Sequence, residues 1–119
     1  MTPIFHITTR AAWQQAQSAG AYRAESLEQA GFIHLSKPEQ VVRVANAYYA
    51  EQRDLVLLVV DPVRLDNELR YEPPDEALES DERFPHLYGV LNLDAVIRAV
   101  DLPPEADGKW SRLPPDAEG

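Results

Sequence analysis

The sequence predicts an α+β fold built as one small domain. Three observations predict it. The chain has 119 residues, the length of a single core. Strand-like and helix-like segments alternate at first, then give way to strands. The apolar run Leu55–Val60 suits a strand covered on both faces and is far too short to span a membrane. The expected architecture is a mixed or antiparallel sheet with two or three helices over residues 1–102. A proline-rich acidic tail over 103–119 follows, draped or disordered, with Trp110 able to pin it.

Each element has a local reason. Ile4–Thr8 alternates aromatic and β-branched residues around His6 and reads as an opening strand. Arg10–Ala19 is rich in Ala and Gln, and Gly20 is placed to end that helix. Tyr22–Arg23 reads as strand or loop. Ser26 and Gln29 form a capping-box pattern for a turn of helix that Gly31 closes. Phe32–Leu35 is a short strand. Ser36 and Glu39 form a second capping box, for a helix to about Glu51 with Val41, Val44, Ala45 and Tyr48 on one face. Asp54–Val60 is a strand ended by Asp61–Pro62. Leu69–Glu72 is a strand stopped by Pro73–Pro74. Asp75–Arg83 is an exposed loop or frayed helix. Phe84–Gly89 reads as a packed turn, and Ala95–Leu102 as the last strand.

Composition excludes several chemistries. There is no cysteine, hence no disulfide, thiol catalysis, iron–sulfur cluster or thiolate zinc site. The net charge is −9. Residues 1–60 carry five bases and five acids, whereas 61–83 carry three bases and nine acids. No basic stripe exists to grip nucleic acid, so no nucleic-acid partner is expected. No membrane partner is expected either. The absence of a basic and apolar leader points to a cytoplasmic protein.

Phosphate-binding glycine loops, nucleophile elbows and paired-histidine helices are absent. Three histidines remain, in IFHITT, GFIHLS and FPHLYG. Three imidazoles could make an open zinc site, but they lack the local spacing of zinc motifs, so no metal is expected. His6 and Thr8 share a strand face. They are either core groups bonded to a neighbour or hydrogen-bonders to a ribose or phosphate. Ser36 follows His34 at a helix start, where amides favour anions. Arg70 and Glu72 share a face, as an ion pair or with Glu72 as a cleft carboxylate. His86 and Tyr88 could wall a ligand site.

GFIHLS, the Gln40–Tyr48 helix, LVLLVVD, LRYE and FPHLYG occur in this order and strongly resemble the domain of unknown function 952 family, small bacterial proteins without an established activity. The resemblance covers residues 1 to about 102. A further resemblance links IFHITT to the strand-borne His-Gly-Thr segment of ADP-ribosyltransferase-like proteins. FIHLS is similar to the His-Leu-Ser segment of RNA 2′-phosphotransferases. Ile7 stands where their glycine would be, and the basic RNA-binding surface is missing. Arg23 and Arg70 are the arginines available for the roles arginine has in those enzymes.

These resemblances imply an ADP-ribosyltransferase-like domain with one cleft for NAD, ADP-ribose or a related nucleotide. His6, Glu72 and His86 would be catalytic: His6 positions the ribose and Glu72 stabilises the oxocarbenium-like centre or orients the acceptor. Thr8, His34, Ser36, Arg70 and Tyr88 would bind ligand. The reaction would be ADP-ribosyl or phosphate transfer. The alternatives are a non-catalytic module for a small ligand or protein, and a small three-histidine metalloenzyme.

Overall fold

Leu55–Val60 forms β4, and all of it is buried. In the computed structural model, which describes residues 2–74 and 81–117, β4 lies between β1 (Ile4–Thr9) and β8 (Val96–Asp101) in an antiparallel sheet. Strand geometry sends its side chains alternately to two cores. Val56, Leu58 and Val60 pack with Ile4, Tyr22, Ile33, Leu87 and Leu91 on one side. Leu55, Leu57 and Val59 pack with Phe5, Val41, Val100, Leu102 and Trp110 on the other. An uninterrupted apolar strand is therefore a strand with two covered faces, as expected.

Helix α1 (Arg10–Ala19) has the expected bounds, with the Thr9 hydroxyl accepting from the Ala12 amide at 3.1 Å and Gly20 closing it. Two capping assignments are corrected. Helix α2 is Glu25–Ala30, so Ser26 lies inside it, and Ala24 at the cap makes no side-chain bond. Ser36 does not cap the next helix, because its main chain is taken by β1. Phe5 and Ser36 exchange two amide–carbonyl bonds of 2.8 Å. Capping passes to the next residue: the Lys37 amide donates to Gln40 Oε1 at 2.9 Å. A 3-10 turn (Pro38–Gln40) then leads into α3, Val41–Tyr48.

That helix is shorter than expected, and Tyr48 leaves its buried face, 75% exposed. Tyr49 packs against the second core instead. Glu51 and Asp54 adopt left-handed backbone as the chain turns into β4, which ends the helical register.

The remaining strands form two more antiparallel sheets. β2 (Ala21–Tyr22) pairs with β7 (Leu91–Asn92). β3 (Ile33–His34), β6 (Phe84–Tyr88) and β5 (Glu68–Glu72) form the other, with β6 central. The expected turn at 84–89 is thus a strand over its first five residues. Proline argues against a central strand because it has no amide to donate. Here the Pro85 carbonyl accepts from the Leu35 amide at 2.9 Å, so its missing donor faces the chain just beyond β3. Of the acidic segment expected as a loop or frayed helix, 75–80 lie outside the described residues. Glu82 and Arg83 meet the Gln40 side chain. From Pro103 the chain lies against the body, with Trp110 and Ala117 buried in the second core. Among the described residues no helix is long and apolar enough to cross a membrane.

Gly89, just after β6, has φ +149°, and a Cβ there would lie 2.4 Å from Asn67 Cγ. Asn67 cannot yield without losing its 2.9 Å bond to the Val90 carbonyl. Gly89→Ala is expected to cost about 1–3 kcal/mol in urea unfolding. A loss within error of zero would show that the turn accepts a side chain.

Candidate functional site

The period of two sorts the β3–β6–β5 sheet into two faces. Ile33, Leu87 and Leu69 point to the first core. His34, His86, Tyr88, Arg70 and Glu72 therefore occupy the other face. Antiparallel register sets His34 opposite His86, and His86 opposite Arg70. Gly31, in left-handed backbone at φ +87°, turns the chain so that Phe32 lies over this face. The Phe32 ring stacks on His86 at 4.1 Å with 20° between planes. It meets His34 edge-on at 4.8 Å and Tyr88 at 5.3 Å. The two imidazoles lie 5.5 Å apart, edge to face. Such ring pairs hold about 0.5–1.5 kcal/mol each beyond their buried area.

A carboxylate anchors the group. Glu72 accepts a short bond from the Tyr88 hydroxyl and a 3.0 Å bond from His86 Nδ1. These bonds, the Tyr88 one foremost, hold the Glu72 carboxyl below its usual range and push the Tyr88 phenol up. An ionised carboxylate only accepts, so Nδ1 carries the His86 proton. Among the described residues the Nε2 of His86 then has no protein partner, although the residue is only 3% exposed. Arg70 lies 4.6 Å over the Tyr88 ring and pairs with Glu68 at 2.9 Å. His34 is exposed on one side. Its partly desolvated ring, next to His86, titrates below the usual value.

His6 and Thr8 form a separate, buried group. His6 is 7% exposed, and desolvation lowers its pKa to about 4. The ring is therefore neutral at pH 7, with one N–H. That proton sits on Nδ1, because its partner at 2.7 Å is the His34 carbonyl, which can only accept. Nε2 then accepts from the Tyr22 hydroxyl at 2.8 Å. The Tyr22 oxygen, 2.9 Å from Thr8 Oγ1, takes the threonine proton in turn. Burial pushes the Tyr22 phenol up, which keeps it protonated in this chain.

The single cleft expected from the sequence is thus two groups. One is a ring-lined sheet face carrying His34, Arg70, Glu72, His86 and Tyr88, on which His34 and Arg70 are exposed and His86 is covered. The other is a core network of His6 and Thr8 in which both imidazole nitrogens are occupied. Ser36 is buried, its main chain committed to Phe5. The groups meet at His34, whose carbonyl holds His6 while its ring stands in the other face. The hollows beside β8 and beneath Trp110 include none of these residues.

The three-histidine metal alternative does not form, because His6 is spent on the core. Among the described residues no three His, Asp or Glu side chains converge on one point. Sequence reading missed Phe32 and Tyr22. Phe32 shares the period of two with His34, a usable signal. Tyr22 carried none, since its partners lie in β1 and only folding brings them together.

The comparisons with known proteins agree with this architecture. The crystal structure of protein CC0527 from Caulobacter crescentus is 38% identical, with 91% of this chain and 92% of that chain covered at a TM-score of 0.80. The solution NMR structure of CC0527 is 37% identical, covering 92% and 91% at a TM-score of 0.77. No curated protein matches. Residues 7–99 match the profile described as "Protein of unknown function (DUF952)", and the chain belongs to that family.

Proposed function

We propose that the face of β3, β6 and β5 binds a nucleotide-type ligand of the NAD or ADP-ribose class, on a domain that is ADP-ribosyltransferase-like in fold. The observation that carries this reading is the gathering of four rings, an oriented carboxylate and a guanidinium on one sheet face. The rings offer a stacking surface to a heterocyclic base. Glu72 has lone pairs left for a sugar hydroxyl. As an ionised group it would stabilise positive charge on a sugar carbon as a leaving group departs. His86 Nε2 is the nitrogen available to take a proton, and Arg70 is the cation for a phosphate. His6 and Thr8 support the face from the core, because His6 holds the His34 carbonyl. The chemistry would be ADP-ribosyl or phosphate transfer. A cytosolic setting and no nucleic-acid partner belong to the same reading.

A second reading, binding without turnover, is favoured by the commitments already made on this face. Glu72 is held by His86 and Tyr88, and Glu68 offsets Arg70.

Ligand-observed NMR with NAD, ADP-ribose, nicotinamide and AMP tests the proposal. Saturation transfer is expected to the base protons, with affinity about tenfold weaker in Phe32→Ala and His86→Ala, ~1.4 kcal/mol. No transfer to any of the four at millimolar ligand overturns it. Nicotinamide release from bound NAD then separates transferase from binding module.

A further inference from the structure

We propose that His34 and His86 form a two-imidazole site for a borderline divalent transition-metal ion, with Glu72 as its outer-sphere support. The spacing that zinc motifs carry along a chain is here supplied across a sheet. His34 and His86 are direct partners on β3 and β6. The next pair, Leu35 and Pro85, is hydrogen-bonded through the Leu35 amide. Ladder alternation makes the histidine pair a non-hydrogen-bonded one, where opposed side chains approach most closely.

The ring separation fits a shared ion. A metal about 2.1 Å from one nitrogen of each imidazole lies about 3.2 Å from each ring centre, so a tetrahedral angle sets the centres about 5 Å apart. The observed centres are 5.5 Å apart, with 76° between ring planes. The observed separation is within about 0.5 Å of that spacing. His34 is exposed and, among the described residues, its ring nitrogens have no protein partner, so it is the ring able to turn.

His86 is already arranged as a ligand. Metal-bearing imidazoles characteristically donate their other N–H to a carboxylate, which fixes tautomer and orientation. His86 does this through Nδ1 to Glu72 at 3.0 Å, leaving the Nε2 lone pair for an ion. The Phe32 stack and near-complete burial hold the ring in place. With no third described side chain converging on the point, the remaining positions would be open to water or an external ligand. Imidazole pairs favour Cu(II), Ni(II) and Zn(II) in the order of intrinsic affinity, and not Mg(II) or Ca(II), which require oxygen donors.

The probe is the metal alone, so this inference stands or falls separately from nucleotide binding. Untagged full-length protein is titrated with NiCl2 and ZnCl2 by calorimetry, and Ni(II) broadening of histidine ring signals is followed by NMR. One equivalent is expected to bind, broadening His34 and His86 first. Affinity should fall at least tenfold in His34→Ala, and about tenfold in Glu72→Gln through loss of ring orientation. His34 is exposed, so His34→Ala tests the site even where His86→Ala fails to fold. No saturable binding at millimolar ion overturns the proposal. So does binding that His34→Ala leaves within twofold of wild type, or broadening that spares both rings.

Discussion

Trp110→Ala is expected to lower stability by about 3–5 kcal/mol, the range for removing a large aromatic side chain from a core. Trp110 is 6% exposed and belongs to the core shared by Leu102, Val41 and the inner residues of β4. Its main chain is clamped by one side chain: Asn46 Nδ2 donates to the Trp110 carbonyl, and Asn46 Oδ1 accepts from the Trp110 amide, both at 2.8 Å. Loss of the indole would therefore also loosen the segment from Pro103 that covers this side of the sheet. The buried indole N–H has no acceptor among the described residues. An unpaired buried donor costs about 1–3 kcal/mol. Trp110→Phe removes that penalty along with some packing, and should retain most of the stability. Urea unfolding checks both. A Trp110→Ala loss under about 1 kcal/mol would mean that the segment contributes little to the folded core.

The second large effect is acid sensitivity from His6. Its pKa falls from 6.5 to about 4 on folding, chiefly by desolvation. The unfolded chain then binds a proton that the folded chain refuses between those values. The stabilisation is complete above the unfolded value of 6.5 and is lost as pH falls toward 4. By linkage the loss is about 3 kcal/mol, as an order of magnitude. Glu72 and Glu82 are held below the ordinary carboxylate value of 4.5, so they also lose stability, but at lower pH. Between about pH 6.5 and 5 the slope belongs to histidine. His34, also lowered, is controlled with His34→Ala. Urea midpoints in metal-free buffer should decline through this window in wild type and flatten in His6→Asn, whose amide can still donate to the His34 carbonyl. Ring signals of His6 that titrate above pH 6 would refute the assignment.

Much of the site was legible where side chains alternate along one strand. The period of two placed His6 with Thr8 and Arg70 with Glu72, and each couple shares a face, but Arg70 forms its ion pair with Glu68, while Glu72 bonds His86 and Tyr88. FPHLYG was not legible as a strand. Pro85 argues against a central one, and only the position of β3 shows that its missing amide faces the chain beyond that strand. The capping boxes failed for a related reason. Ser26 and Ser36 have the right spacing, but the first lies within its helix and the second is committed to pairing with Phe5. Local capping chemistry is worth about 1 kcal/mol, which tertiary pairing readily overrides.

The sequence by itself determined the α+β class, the bounds of α1, the doubly covered β4 and the presence of histidines in strand-like surroundings. Each of these rests on neighbours within a few residues, where period and propensity act directly. Only the tertiary structure decided which histidine is spent in the core and which stands on the opposite face of the β3–β6–β5 sheet. His6 is used up by Tyr22 and the His34 carbonyl, whereas His86 keeps a nitrogen and meets Glu72, His34 and Phe32. Those partners are separated along the chain and joined by strand register, so sheet pairing, rather than residue type, divides one set of histidines into a core bond and a ring cluster on the other sheet face.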